Sequence, residues 1–570
     1  MHHLTAPSSF HDLRRAPDSV TAFTEDGERK LSAAPEGRWQ GEDIEVTTLT
    51  TPDSLTVFTE TGARKLSAAS GGRWQGDDIE VTTVTGPDSL RVLLSAPKSA
   101  VTHLHLRWRF RAEGVRLILG DAWERGYGDL EWRGVTPDRV LPWYWAAWDG
   151  QQTHGYGVRT LPNAFGFWQA DGEGVSLWAD VRSGAGGVKL GARVLDVCEV
   201  LCRAGVEGET PFEAVRAFCR QMCPAPCLPD YPVYGHNDWY YAYGNISAPQ
   251  VREDARRVVD LSPTGANRPY AVIDAGWYPG DSLGGSDGGI WDRGNEKFPD
   301  MPALAAEITQ IGARPGLWVR PLTAALDAPD GWRLARDRQF LDPTVPEVRE
   351  KITSDIARIA GWGYGLIKHD FTTNDIFGRW GFDMGAALTD DGWAFREGQG
   401  RTTAEVILEL YRTIRTAAGR ALIVGCNTVG HLSAGLFEMS RIGDDTSGQE
   451  WGRTRKMGVN SLAFRAAQNG TFFVADADCV GITQAVPWDL NRQWLDLLAR
   501  SGTMTLVSLD PAALGPDEAR DLRAAFVLAS EVQPLGEPLD WQETLLPCRW
   551  RFGHEEKRYD WVGAEGVSLF

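Results

Sequence analysis

The rhythm of hydrophobic and polar positions changes near residue 230. Upstream, apolar and polar residues alternate, as in His103-Leu104-His105-Leu106-Arg107-Trp108 and Gly174-Val175-Ser176-Leu177-Trp178-Ala179. A period of two sends successive side chains to opposite faces of a sheet, so one row is covered and the other meets water. Two near-identical segments, residues 19–53 and 54–88, repeat this alternation around Gly-containing turns. Each predicts a strand-rich unit, and two copies are too few for a solenoid. The pattern predicts a large β-sandwich over residues 1–228, ending in a helix at Pro211–Met222 and a linker carrying Pro224, Pro226 and Pro229.

Downstream, short apolar runs alternate with helical periods. The runs are 233–236, 270–274, 315–320, 365–370, 421–426, 439–443, 472–475 and 504–508. Short continuous apolar runs read as parallel strands covered on both faces. The clearest helix lies over residues 346–360, where Val348, Ile352, Ile356 and Ile359 form one stripe. Eight such strands with intervening helices predict a (β/α)8 barrel over residues 229–530. The connection between the fifth and sixth strands is short and shows no helical pattern. A doubly wound open sheet is the alternative, but no glycine-rich phosphate loop follows the first strand. Residues 531–570 are enough for a small C-terminal β segment packed on the barrel.

Composition narrows the function. A chain of 570 residues needs more than one core, so two or three domains are expected. A net charge of −19 argues against nucleic acid and against an anionic membrane surface as partners. No apolar run is long enough to span a membrane. Met1-His2-His3-Leu4-Thr5 lacks the basic-then-apolar order of a secretory signal, so a cytoplasmic location is expected. Cys198, Cys202, Cys219, Cys223 and Cys227 cluster without a paired CxxC. Free thiols fit this spacing better than zinc, and no metal or cofactor is expected. The 24 tryptophans offer flat faces on which sugar rings stack, although indoles also fill large cores.

Candidate chemistry collects at the strand ends, where barrels carry their catalytic groups. Trp239 follows the first strand, and Asp274 and Trp277 follow the second. Trp318 and Arg320 lie on the third, and Lys368 and Asp370 on the fourth. Cys426 and Asn427 follow the fifth, Arg441, Asp444 and Asp445 the sixth, Asp476 and Asp478 the seventh. Acids interleaved with aromatic residues are what a sugar site needs. Lys368 with Asp370, and Arg441 with Asp445, each pair a carboxylate with a nearby cation. Two such strand ends point to the paired-carboxylate chemistry of glycoside hydrolysis. Structural ion pairs are the alternative reading.

The motifs, in order, are Asp-Trp-Tyr-Tyr (238–241), Val-Ile-Asp (272–274), Phe-Pro (298–299), Pro-Gly-Leu-Trp (315–318), Lys-His-Asp-Phe (368–371), Gly-Cys-Asn (425–427), Arg-Ile-Gly-Asp-Asp-Thr (441–446) and Asp-Ala-Asp-Cys (476–479). This series resembles the retaining α-galactosidases, above all glycoside hydrolase family 36, which also includes raffinose synthases. The resemblance covers most of residues 230–530. It implies an N-terminal β-sandwich, a small C-terminal β piece and an oligosaccharide or glycoside substrate. It leaves a homo-oligomer open, since relatives often assemble. It also implies roles. Asp370 would be the nucleophile and Asp445 the acid/base, roughly 5–5.5 Å apart as in retaining enzymes. Lys368 and Arg441 would bond sugar hydroxyls and lower the pKa of Asp370. Asp274, Trp318, Trp239, Cys426, Asp444 and Trp291 would complete the substrate site. Asp445 must start protonated, which leads to the expectation of a drier setting.

The series departs from the family at three points. Asp274-Ala275 stands where two consecutive aspartates usually bond the 4- and 6-hydroxyls of galactose. Asn237 stands where cysteine is frequent, and Asp444 adds an acid beside Asp445. Strand alternation would turn Asp444, and likewise His369, away from the cavity. The sugar therefore stays open between an α-galactoside, an α-N-acetylgalactosaminide and a β-L-arabinopyranoside. A polar group from residues 280–291 would be the substitute for the missing carboxylate. A raffinose-synthase-like transglycosidase uses the same intermediate. A non-catalytic sugar-binding protein conflicts with retention of both Asp370 and Asp445.

Overall fold

The computed structural model describes residues 19–21, 55–59, 62–69, 72–76, 78–109, 114–280, 288–388 and 392–562. The chain divides into two units. The first comprises Met1–Asp121, Trp132–Cys223 and Gly385–Leu408. The second comprises Ala122–Glu131, Pro224–Met384 and Glu409–Phe570.

The first unit is a β-sandwich. Its strand Ala100–Arg109 shows the alternation expected of it, burying Leu104, Leu106 and Trp108. Strand Gly174–Asp180 pairs with one edge of it and strand Leu55–Thr59 with the other. Strand Gly62–Ala69 passes between the two layers. Its first five residues pair with Leu55–Thr59 and its last three with Arg73–Gly76. The second repeat copy thus supplies strands Leu55–Thr59, Gly62–Ala69, Arg73–Gly76 and Ile79–Thr85. Of the first copy, Ser19–Thr21 is a strand, and Thr21 meets the same His105 position that Thr56 meets. The rest of the first copy lies outside the described residues.

Helix Pro211–Met222 forms where its pattern places it. Thr210 accepts from Glu213 N–H at 3.2 Å, and the Glu213 carboxylate accepts from Thr210 N–H at 2.9 Å. This reciprocal cap satisfies two donors that a helix start leaves open. Phe218 of the buried face lies so close to Gly155 that a Cβ there would stand 2.3 Å from the ring.

The second unit holds the barrel. Among the described residues, eight parallel strands follow one another in space as in sequence: Tyr234–Asn237, Tyr270–Ile273, Arg314–Val319, Leu366–His369, Leu422–Gly425, Met439–Arg441, Val474–Asp476 and Thr505–Leu509. The eighth pairs with the first, and a parallel bridge from Asp476 to Met504 joins the seventh toward the eighth. An extra short strand, Val480–Ile482, pairs with the eighth. Val272, Leu366, Val424, Met439 and Leu506 fill the centre.

Helices cover the outside, among them Ala248–Leu261, Met301–Ile311, Pro346–Gly361, Trp488–Arg500 and Pro516–Ala529. Val348, Ile352, Ile356 and Ile359 are buried, as their stripe requires. Between the fifth and sixth strands stands the four-residue helix Gly430–Ser433. Between the sixth and seventh, the helical run is interrupted by a π-helical stretch, Thr454–Asn460. The C-terminal part is a three-stranded antiparallel sheet of Gly536–Pro538, Arg549–Phe552 and Glu555–Arg558. Among the described residues, no helix is long and apolar enough to cross a membrane.

Candidate active site

The ends of the barrel strands surround a cavity of about 360 Å³. Trp239, Asp274, Ala275, Trp318, Lys368, Asp370, Asp444 and Asp445 line it, together with Arg125, Tyr127, Phe371, Trp380, Phe382 and Arg453. This volume and mixed lining are typical of a small-ligand site.

Asp370 stands one residue beyond the fourth strand, 7% exposed. Its Oδ2 accepts the Trp318 indole N–H at 3.0 Å, and its Oδ1 accepts the Phe371 backbone N–H at 2.7 Å. The second bond depends on a turn in which Phe371 has φ +65°, a left-handed conformation rare for a bulky residue. Such strain persists where packing over-determines it. Here the Arg320 guanidinium sits 4.1 Å from the Phe371 ring centre and is itself bonded to buried Asp375 at 2.6 Å. His369 faces away, as alternation requires, and packs edge-on against Tyr411 and Phe437. Burial pushes its imidazole down to about 3, so it is neutral at ordinary pH.

Lys368 is engaged elsewhere than expected. Its Nζ bonds Asp274 Oδ2 at 2.7 Å. Burial alone would lower the Lys368 pKa, but Asp274 and the other anions around it raise it well above the ordinary lysine value. Asn237, at the position where the family often has cysteine, donates to the same Asp274 oxygen at 2.7 Å. The Ala275 N–H donates back to Asp274 Oδ1 at 2.9 Å, so Ala275 presents its methyl side without a polar side-chain group. Asp238 accepts from Asp274 N–H at 2.9 Å, and burial, then the Asp274 charge, raise its pKa well above the usual carboxylate range.

The acidic pair differs from expectation in two ways. The sixth strand ends at Arg441, so Asp444 and Asp445 lie on the following loop. Strand alternation does not apply there, and both line the cavity. The expected dry setting of Asp445 is also absent, because its side chain is 43% exposed and Arg441 bonds it at 2.9 Å. Burial works to raise its pKa, but Arg441, Arg125, Lys368 and Arg453 together bring it below the usual value.

Arg125 was not among the residues read from the sequence. It belongs to Ala122–Glu131, a stretch that counts with the barrel unit although it is flanked by sandwich sequence. Gly126 N–H donates to Ile442 O at 2.8 Å, and Asp444 N–H donates to Gly126 O at 2.9 Å. Arg125 then lies 3.1 Å from Asp444 and 3.7 Å from Asp445. Glu124 accepts the Gly381 N–H at 2.7 Å and the Tyr127 hydroxyl, which fixes the Trp380 and Phe382 segment beside it. Trp380 stands 5.3 Å from the Arg125 guanidinium. The signal available was Trp123-Glu124-Arg125-Gly126-Tyr127-Gly128, which breaks the period-two pattern with buried charges.

Three other expected site residues, Arg441, Cys426 and Trp291, do not line the cavity. Arg441, expected to bond sugar hydroxyls, is buried with its guanidinium on Asp445 and Asp478. Cys426 is buried, and its Sγ accepts from Arg441 Nη1 at 3.4 Å. Trp291 is buried against Tyr278 and Trp318, with ring centres 4.6 and 6.1 Å away. Among the described residues, no group of three or more His, Cys, Asp or Glu is placed to hold a metal ion.

No family model matches the chain, and no curated protein matches it. Solved structures do. An α-galactosidase from Thermus thermophilus, solved with p-nitrophenyl α-D-galactopyranoside, aligns with a TM-score of 0.58 at 18% identity, over 89% of this chain and 99% of that one. A family 36 α-galactosidase from Geobacillus stearothermophilus, solved with 1-deoxygalactonojirimycin, gives 0.58 at 14% identity, over 88% and 73%. An α-galactosidase from Lactobacillus brevis gives 0.55 at 13% identity, over 88% and 74%. The chain therefore has the fold seen in glycoside hydrolase family 36 α-galactosidases.

Proposed function

We propose that this protein is a retaining exo-glycosidase of the α-galactosidase type. The observation that carries the reading is one cavity that exposes Asp370, oriented by two N–H donors, together with Asp445, held by Arg441. The Asp370 carboxylate attacks the anomeric carbon as the bond to the leaving oxygen breaks, giving a covalent glycosyl-enzyme. Asp445 gives the leaving oxygen its proton. It then takes a proton from water, which attacks the anomeric carbon and releases Asp370. Trp318 and Trp239 supply apolar faces for the ring, and Asp274 and Lys368 supply an acceptor and a donor for its hydroxyls. The cations around Asp445 hold its pKa below the usual carboxylate value, so proton delivery draws on a minor protonated form and turnover rises as the pH falls.

Ala275 supports a second reading of the sugar. It lines the cavity without a polar side-chain group, and residues 281–287, part of the loop expected to replace the missing carboxylate, lie outside the described residues. A sugar without the exocyclic hydroxymethyl group, a β-L-arabinopyranoside, fits such a wall. A panel of nitrophenyl α-galactoside, α-N-acetylgalactosaminide and β-L-arabinopyranoside, with the anomer of the first product read by NMR, tests both readings. Retained configuration on one of them supports the proposal, and an inverted product or no cleavage of any removes it.

A further inference from the structure

Asp478 does not line the cavity, yet it joins three of the elements that build it. It is 2% exposed and stands two residues beyond the seventh strand. Its Oδ2 pairs with Arg441 Nη2 at 2.5 Å and accepts from Thr446 N–H at 2.7 Å and Thr446 Oγ1 at 3.0 Å. The Tyr240 hydroxyl donates to the same oxygen. Its Oδ1 accepts from Cys479 N–H at 2.7 Å. One carboxylate thus ties the turn after the first strand, the loop after the sixth and the loop after the seventh. The same Arg441 Nη2 that meets Asp478 also bonds Asp445 at 2.9 Å and the Tyr240 oxygen at 3.3 Å.

The backbone adds an independent observation. Asp478 has φ +74°, the left-handed region that glycine enters freely and other residues enter under strain. Glycine would relieve that strain but would leave Arg441, Thr446 and the Tyr240 hydroxyl without this acceptor.

We propose that Asp478 is a positioning residue, which holds Arg441 and the Asp445–Thr446 turn in the geometry the reaction uses without touching substrate. Its charge divides Arg441 between two carboxylates. Without it, Arg441 has Asp445 as its nearest anion, and Thr446 N–H and Oγ1 lose their shared acceptor. The charged and titratable groups facing this junction are Arg441, Asp445, Tyr240, Asp476 and Cys479, with Arg125, Lys368, Arg453 and Asp444 on the cavity side.

The activity part of the test rests on the glycosidase reading above. Asp478→Gly relieves the backbone and removes the carboxylate, and Asp478→Asn tolerates the same φ while removing only the charge. The expected result for Asp478→Gly is a lowered thermal stability with the protein still folded at assay temperature, because relief of the backbone does not offset the buried donors left without an acceptor. Its kcat on the best aryl glycoside should fall at least about 100-fold, KM should change little, and the alkaline limb of kcat/KM should move to lower pH, with Asp478→Asn intermediate. Wild-type kcat and an unmoved limb in Asp478→Gly overturn the proposal. If the wild-type enzyme cleaves no glycoside of the panel, the glycosidase reading fails first. A crystal structure of Asp478→Gly then decides: a displaced Arg441 guanidinium and Asp445–Thr446 turn support positioning, and both in place overturn it.

Discussion

Arg125 lies 3.1 Å from Asp444 and 3.7 Å from Asp445, so one guanidinium answers both members of the acidic pair. It is the cation that the stretch Ala122–Glu131 adds to Arg441 and Arg453 around these acids. Arg125→Gln keeps a donor of similar reach and removes the charge. One less cation raises the pKa of Asp445 toward its ordinary value, which keeps its proton to higher pH. The expected outcome is an alkaline limb of kcat/KM moved up by roughly half to one pH unit. A downward shift would separate Arg125 from the acid.

Asp445→Ala should slow alkyl glycosides far more than nitrophenyl glycosides, because a good leaving group needs little protonation. Asp444→Ala should slow both alike, since Asp444 is engaged by Arg125 and Arg453 rather than by Arg441. Steady-state rates across a leaving-group series read this directly. The reverse pattern would exchange the two assignments.

Much of the fold was legible from period alone. Each of the eight expected strand positions falls on a barrel strand, because continuous apolar runs bounded by helical stripes have few other uses. The gap between the fifth and sixth strands was also visible, and Gly430–Ser433 is all the helix it contains. The site was partly legible. Asp274, Lys368, Trp318, Asp370, Asp444 and Asp445 could be found because they lie at or shortly after the ends of barrel strands. Arg125 could not be assigned to the site, since its contact with Asp444 joins positions more than three hundred residues apart and the local mark, a break in the period-two pattern, does not say where the side chain goes. The drier setting expected for Asp445 is absent for a similar reason: its side chain is 43% exposed on a loop, and three of the four cations that lower its pKa come from other elements. Trp291 and Cys426 show the opposite error, in which a suitable residue type near a strand end turned out to stand behind the wall.

Ala275→Asp tests the sugar. A carboxylate there would offer a charge-assisted bond to an outer hydroxyl, at the wall position Ala275 now occupies. If the native substrate lacks the hydroxymethyl group, galactoside activity should rise relative to arabinopyranoside by about one to two orders of magnitude. If the enzyme is already a galactosidase, the added side chain should harm both. Paired kcat/KM values on the two nitrophenyl glycosides separate these cases.

His369 predicts a pH dependence of stability. Its folded pKa is about 3, against an ordinary value of 6.5. The unfolded chain takes up a proton below the ordinary value and the folded one does not, so stability is fully present above pH 6.5 and is lost as pH falls toward 3. The slope for one such group is about 1.4 kcal/mol per pH unit. His369→Leu should flatten the loss between pH 6.5 and 5 by that amount in chemical denaturation. An unchanged slope would mean that His369 takes up its proton in the folded state.

In the proposed reaction Asp370 forms a bond to the sugar. A ring-fluorinated α-D-galactosyl fluoride needs no acid to leave, and its fluorine slows hydrolysis of the intermediate, so the adduct accumulates. Intact mass followed by peptide mapping measures it. The expected result is one added glycosyl group per chain, located on Asp370 and absent in Asp370→Asn. Label on Asp444 or Asp445, or turnover with an inverted product and no label, would contradict it.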